Sequence, residues 1–437
     1  MEPKELETYT DEELLAELAK RRGGNGARTI EAMEALAEQK TLELQHAQIE
    51  AQLSQASQNE KNEAKACPQC GRKVRVRAQQ RARTIRFTSG PATFTRNYHF
   101  CVACSFGFYP LDTELGLLET GELSPALERR VLDFGVTTPY EEAATRWQVH
   151  YTVPISERLV RSVVERVGYG WEERSPSERQ ERLSRPTPAS RSPLVVQMDG
   201  SMVSTRDRGW KEAKVAVLYR EEHHVSGTKK QRGQITQARY LATLGGLNPF
   251  AKELDAALST EKADEAARVI WVGDGAPVNW NLCEEFCPNA VQILDFYHAM
   301  EHAMACGNVL YESDPEGLKK WKEELERHLL ERPFSALESF LEAKLFGASS
   351  CHQEALKKLL RYYRAHRERM NYKQFREQGY PIGSGAVESA HRHVIQARMK
   401  RAGQHWEYDR GDTMARLRAA YRTTGPLDFY QTVRKTA

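Results

Sequence analysis

RVIWVGDGAPVNWNLCEEFCPNAVQILDFYH, residues 268–298, decides the fold. RVIWVGDGA (268–276) reads as a buried strand ending in Asp274, with Gly275 after it. Residues 277–287 suit a short helix, and AVQILDFYH (290–298) is a further strand that ends near Asp295 and His298. Working outward, LVVQMDG (194–200) is a short apolar strand that ends in Asp199-Gly200. WKEAKVAVLYR (210–220) and TQARYLATLG (236–245) add two strands, and a helix follows at about 250–267. Three strands, a helix, a strand, a helix and a strand make a mixed α/β sheet.

Asp199 and Asp274 both stand at C-terminal strand ends, where ligand sites gather in such sheets. An Asp-Gly pair there also serves as an ordinary turn. A third carboxylate lies in YPIGSGAVESAHRHVIQARMKRAGQHW (380–406). Gly383-Ser384-Gly385 opens a helix with Glu388 in its first turn, and His391, Arg392, Ile395 and Met399 follow on an expected sheet-facing stripe. Three carboxylates on two strands and a helix suit two Mg²⁺ ions ~4 Å apart, hard cations that prefer oxygen. Arg392, Arg398, Lys400, Arg401 and His405 are placed to contact phosphates.

HAMEH (298–302) matches the H-x-x-E-H pattern of inverted zinc peptidases. A peptidase needs that motif inside an established helix, with a third ligand from further along. Here it begins where a strand ends. His298 and His302 are open to two readings, contact with DNA beside the carboxylates or a packing role. Cys283 and Cys287 are expected in the core.

The N-terminal part has a different character. Residues 1–60 hold thirteen Asp/Glu against six Lys/Arg, and residues 61–112 hold two against ten. The basic block points to an anionic partner, nucleic acid first, or to a solvated face. Cys67-Pro-Gln-Cys70-Gly71 and Cys101-Val-Ala-Cys104 flank two alternating strands, which is the pattern of a zinc ribbon with four thiolate ligands. Residues 124–168 read as three short helices starting at Ser124-Pro125, at Thr138-Pro139 and near Pro154. Arg158 and Arg161 lie off the apolar side of the third, a helix-turn-helix pattern. Such three-helix units also act as spacers.

The expected organisation is multidomain α+β: N-terminal helices at 1–64, the ribbon at 65–112, a helix-turn-helix at 113–170 and a Pro/Ser-rich linker at 171–193. An α/β catalytic domain occupies 194–302 and 375–437, with a charged helical segment at 303–374. No apolar run approaches the ~18 residues that span a bilayer, and the start lacks a signal-peptide stretch, so a cytoplasmic protein is expected.

The order DG…GDGAPVNWNLCEEFCPNAVQILDFYHAMEH…YPIGSGAVESAHRHVIQARMKRAGQHW resembles bacterial insertion-sequence transposases of the ISKra type, relatives of the Mutator-like transposases, from about 194 to 425. The resemblance implies an RNase H-like DDE domain with an all-helical insertion and DNA transposition, a form of DNA recombination. It carries the catalytic, metal-binding triad to Asp199, Asp274 and Glu388, with Asp207 a rival for the first place. It also implies a supporting D-x-x-H…H set, here Asp295, His298 and His302. The implied cofactors are catalytic Mg²⁺ or Mn²⁺ beside structural Zn²⁺. The implied partners are double-stranded transposon-end and target DNA and a second copy of the chain, in the bacterial nucleoid. A transposase-derived DNA-binding protein without activity and a stand-alone metal-dependent nuclease are the alternatives.

Overall fold

The computed structural model describes residues 29–117, 121–183, 191–225 and 233–434. Residues 1–28 of the expected N-terminal helical region and residues 184–190 of the expected linker lie outside the described residues. The chain divides into two compact units, one mostly Met1–Glu128, the other Arg129–His150 with Pro154–Thr436.

The first unit starts with α1 (Ile30–Asn59), capped where the Thr29 hydroxyl accepts from Ala32 N. Strands β1 (Lys65–Ala66) and β2 (Lys73–Val74) form the first cysteine knuckle. A long hairpin, β3 (Val76–Phe87) and β4 (Gly90–Cys101), runs from it to the second knuckle, followed by β5 (Phe106–Phe108). The hairpin has two small cores. Val74 and Phe108 pack around the cysteines at one end. Ile85, Phe94 and Leu111, from α2 (Pro110–Glu114), pack with Leu53 and Ala56 of α1 at the other.

In the second unit, α3 (Pro125–Thr137), α4 (Tyr140–His150) and α5 (Glu157–Glu172) occupy the expected helix-turn-helix stretch. On α5, Val160, Val163, Val164, Val167 and Trp171 recur at helical spacing and are buried. Gly168 on the same face has no room for a side chain, since a Cβ would lie 2.1 Å from Thr413 Cγ2 of α16 (Tyr408–Thr424). The apolar face of α5 is therefore spent within this unit, and each buried valine contributes roughly 1.5 kcal/mol or more.

The stretch read as a linker also contains a helix. Ser175 and Glu178 form a reciprocal capping box that starts α6 (Pro176–Arg182). Arg179 and Gln180 of α6 are buried against Glu253 of α7 (Leu247–Thr260), where Arg179 Nε donates to Glu253 Oε1 at 2.9 Å. Ser and Pro marked a helix start there, not a tether.

The sheet has the order β10-β7-β6-β11-β12. Strands β6 (Leu194–Thr205) and β7 (Gly209–Arg220) form an antiparallel hairpin, paired from Leu194↔Arg220 to Thr205↔Gly209. A minor two-stranded ribbon, β8 (His224–Val225) with β9 (Gln234–Ile235), precedes β10 (Arg239–Thr243), which pairs antiparallel with β7. Strand β11 (Val269–Gly273) runs parallel to β6, but only along Leu194–Gln197. Helix α8 (Pro277–Phe286) then leads to β12 (Val291–Leu294), parallel to β11. Strand β6 is thus longer than the short strand expected. Its polar half pairs with β7 and is bridged to Trp406 at Thr205, and Asp199 lies just past the last pairing with β11 rather than at a strand end.

After β12 come α9 (Phe296–Leu310), α10 (Pro315–Glu331), α11 (Phe334–Leu345), α12 (Ser350–Ala365) and α13 (Tyr372–Glu377). They bury their own core, including Trp321, Leu325, Leu341 and Tyr363. Two bonds anchor it to α9: Trp321 Nε1 donates to Ala303 O at 2.9 Å and the Tyr363 hydroxyl to Ala299 O at 2.9 Å. The chain returns to the sheet through α14 (Gly385–Ala390), a π turn (His391–Gln396) and α15 (Ala397–Met399), then α16 and α17 (Phe429–Val433). Among the described residues, no helix is long and apolar enough to cross a membrane.

Candidate functional site

Two sites emerge, one in each unit. In the first, Gly71 follows Cys70 with φ +71° and Ser105 follows Cys104 with φ +52°, so both knuckles turn through the left-handed region. Gly71 N donates to Cys67 O at 2.9 Å and closes the first loop. The four sulfurs converge: Cys67–Cys104 are 3.5 Å apart, Cys70–Cys101 3.6 Å and Cys70–Cys104 3.8 Å. A tetrahedral zinc with ~2.3 Å bonds needs sulfur separations of roughly 3.8 Å, so the four cysteines could bind zinc without rearrangement. A backbone N–H of Cys104 pulls the Cys101 thiol down to about 7, toward the thiolate that a metal requires. Among the described residues, this is the one group of three or more such ligands whose donor atoms lie within 4.8 Å of one another.

In the second unit the predicted residues gather along the edge where β6 and β11 part. Asp274 follows β11, and its Oδ1 accepts from Ala276 N at 3.0 Å and Asn279 Nδ2 at 2.6 Å. Gly275 turns with φ +90°, and a Cβ there would lie 2.5 Å from the Tyr362 hydroxyl. That hydroxyl donates to Asp274 O at 3.3 Å, so α12 closes against this turn. Asp199 accepts from Gly200 N at 2.7 Å. Burial raises its pKa first. The hydrogen bond from Gly200 opposes this, and the negative charge of Asp274 adds to it.

Glu388 is set by a clamp on the preceding turn. Gln197, 1% exposed on β6, donates through Nε2 to Gly383 O and accepts from Val387 N, each at 3.2 Å. Asp295 grips the other side: its Oδ2 accepts from Ser384 N at 3.2 Å and from the Ser384 hydroxyl. Its Oδ1 caps α9 by accepting from Tyr297 N at 2.7 Å. Asp295 is 3% exposed and is spent on this architecture. Glu388, next to fully buried Val387, is exposed, and its carboxylate has no hydrogen-bond or ion-pair partner among the described residues. The three carboxylates do not converge to within 4.8 Å, unlike the cysteines.

One residue at this edge was missed as a site candidate. His391, 4% exposed, holds the Ser201 hydroxyl at 2.9 Å through Nδ1 and brings Nε2 to 3.5 Å from Asp199 Oδ2. Burial lowers its pKa to about 4, so the ring is neutral near pH 7. Its spacing from Glu388 put it on the right face, but nothing in the sequence said that β6 would continue to Ser201.

The cationic candidates divide. Arg392 is exposed, one turn on from exposed Glu388, and not on the buried stripe. Arg398 falls instead on the buried face, at helical spacing from Val394 and His391. It is 1% exposed, bonds Gly135 O at 3.4 Å and lies between the rings of Tyr140 and Trp406. Its expected phosphate contact is corrected by that burial. Lys400 is exposed; burial lowers its pKa first, and Asp199 pulls it back up. Arg401 pairs with Glu142 at 2.6 Å, and His405 Nδ1 meets the Ser204 hydroxyl at 2.8 Å. Arg158 and Arg161 are exposed on α5, Arg161 paired with Glu157 at 2.5 Å. Asp207 accepts from Tyr408 N at 2.9 Å in the β6–β7 turn and does not join Asp199.

His298 and His302 stand on the first turns of α9, their rings 5.2 Å apart. His298 meets Glu301 at 3.3 Å, and His302 stacks on Tyr362 at 3.8 Å. Among the described residues they join no third metal ligand, as a peptidase would require. Cys283 and Cys287 are buried, as expected.

A comparison with curated proteins finds no match. Among solved structures, the chain is similar to the Drosophila P element transposase strand transfer complex, at 10% identity and a TM-score of 0.34, over 71% of this chain and 93% of that one. The profile of an uncharacterised protein family, UPF0236, matches residues 25–434, and the chain belongs to that family.

Proposed function

We propose that this protein is a DDE transposase, which cuts DNA at transposon ends and joins the freed 3′-hydroxyl to target DNA. One observation carries the reading. Asp199 lies on β6, Asp274 follows the neighbouring strand β11, and Glu388, without a partner among the described residues, stands on a helix clamped to β6 by Gln197. Two half-buried carboxylates with a free one on the clamped helix invite hard cations. The sheet order, with the first strand of this domain between the second and fourth, is the RNase H-like arrangement that the sequence resemblance implies.

Asp199, Asp274 and Glu388 would hold Mg²⁺ or Mn²⁺, which when bound activates an attacking oxygen and stabilises a leaving one. The neutral His391, fixed by the Ser201 hydroxyl, stands 3.5 Å from the Asp199 carboxylate and walls it on that side. Exposed Lys400 and Arg392 supply positive charge for the phosphates beside it. In this reading the zinc ribbon and α3 to α5 recognise the element's ends, and two copies of the chain hold two ends together.

The test is cleavage of labelled DNA carrying the sequences that flank the protein's own gene, with Mg²⁺ or Mn²⁺, by wild type and Glu388→Ala. Metal-dependent nicking at the element's edge, joined to a second DNA and absent from the variant, is the expected result. Cutting without joining would replace the reading by a nuclease. Tight binding with no cutting under any metal would replace it by a DNA-binding derivative.

A further inference from the structure

Between α9 and α12 lies an open groove of about 540 Å³. Its inner end is His302, which stacks on Tyr362, and Tyr362 reaches the Asp274 carbonyl. The groove thus begins one side chain away from the carboxylate edge. Lys357, Lys358 and Arg361 line it along one flank of α12, and Glu354 is the only acid in its lining. All three cations are exposed or nearly so, and among the described residues neither Lys358 nor Arg361 has a carboxylate at ion-pair distance. Arg364, three residues on, is by contrast tied to Glu338 and Glu342. The opposite wall, from α9, is apolar: Ala305 and Val309, the latter 38% exposed.

We propose that this groove holds a single DNA strand as it leaves the catalytic edge, with phosphates on Lys357, Lys358 and Arg361 and a base against Ala305 and Val309. The inference rests on the function proposed above. Cations on one wall and apolar surface on the other match the two faces of an unpaired nucleotide, and a groove of this size takes one or two nucleotides and not a duplex. His302, backed by the Tyr362 ring, gives the strand a stacking step at this end of the groove.

Cys351 lines the groove and is exposed, which makes its alkylation rate a direct readout of occupancy. The full chain is incubated without added divalent cation with a short single-stranded oligonucleotide or the matching duplex, and alkylation of Cys351 is followed by peptide mass spectrometry. The single strand is expected to slow Cys351 modification by about tenfold, and the double variant Lys358→Glu/Arg361→Glu to lose both that protection and about tenfold in single-strand affinity. Circular dichroism equal to wild type shows that the variant is folded. Binding of the single strand with Cys351 modified at its free rate, protection by duplex alone, or no binding at all would each overturn the inference. Protection of Cys351 in a wild-type protein that cuts no DNA would overturn the catalytic reading and leave the groove assignment standing.

Discussion

The two sites are built on opposite principles. At the cysteine knuckles, backbone turns at Gly71 and Ser105 bring four sulfurs to within 3.5–3.8 Å along three measured edges. At the β6–β11 edge, the carboxylates are kept apart, and Asp199 is held half-buried near a second negative charge. The difference teaches what each site is for. A closed set of soft ligands gains stability from its metal. In the proposed reading, an open set of carboxylates would keep its ligands ready for a cation and its substrate, at some cost to the folded state.

The comparison breaks first at the cysteines. Cys101→Ser should abolish stoichiometric zinc and, with it, about 10 kcal/mol of apparent metal-binding free energy. Proteolysis between residues 60 and 110 should accelerate, while the second unit's helical signal persists. Metal analysis and timed trypsin digestion check this. Unchanged protection in a zinc-free variant would show that the hairpin stands on its two cores alone.

At the other edge the sign should reverse. Asp199→Asn should lower metal-dependent cleavage by ~10³-fold or more, about 4 kcal/mol of barrier. Its metal-free melting temperature should rise, because a partly desolvated anion is gone. Differential scanning fluorimetry without divalent cations reads the sign. A fall in both quantities would make Asp199 a structural residue.

His391 sharpens the same contrast through pH. Its folded pKa of about 4 lies below the ordinary histidine value of 6.5, so the unfolded chain binds the proton more tightly. The stability it contributes is complete above pH 6.5 and is lost as pH falls toward 4, by roughly 3 kcal/mol at most. Urea unfolding of wild type and His391→Gln at pH 7 and pH 4.5 isolates it. The variant's loss on acidification should be smaller; an equal loss would mean that the ring is solvated. The smallest effect expected is at Gly275→Ala, where φ +90° and the nearby Tyr362 hydroxyl together should cost roughly 2 kcal/mol in the same assay.

How much of this was legible depended on whether the signal was local. Cys67-x-x-Cys70 and Cys101-x-x-Cys104 announced their site, because ligand spacing in a knuckle is set by a few backbone torsions. The strands around Asp274 were legible for a similar reason: β11 reads as an apolar run that is buried from Ile270 to Gly273, and β12 ends in buried Ile293 and Leu294. The capping box at Ser175 and Glu178 was equally local and was passed over for the Pro and Ser around it. Arg398 was not legible. It shares the spacing of buried His391 and Val394, but only the folded structure brings Trp406 and Tyr140 to its guanidinium.

The amino-acid sequence by itself determined the element types, the cysteine set and the two strand-associated aspartates, because periodicity, turn residues and ligand spacing act over a few residues. Tertiary structure alone decided that β6 runs on to Thr205, that Gln197 and Asp295 clamp the turn before Glu388, and that His391 meets Asp199. The contacts of Gln197, Asp295 and His391 join residues 89 to 192 positions apart, and long-range pairing leaves no period in the chain that makes it.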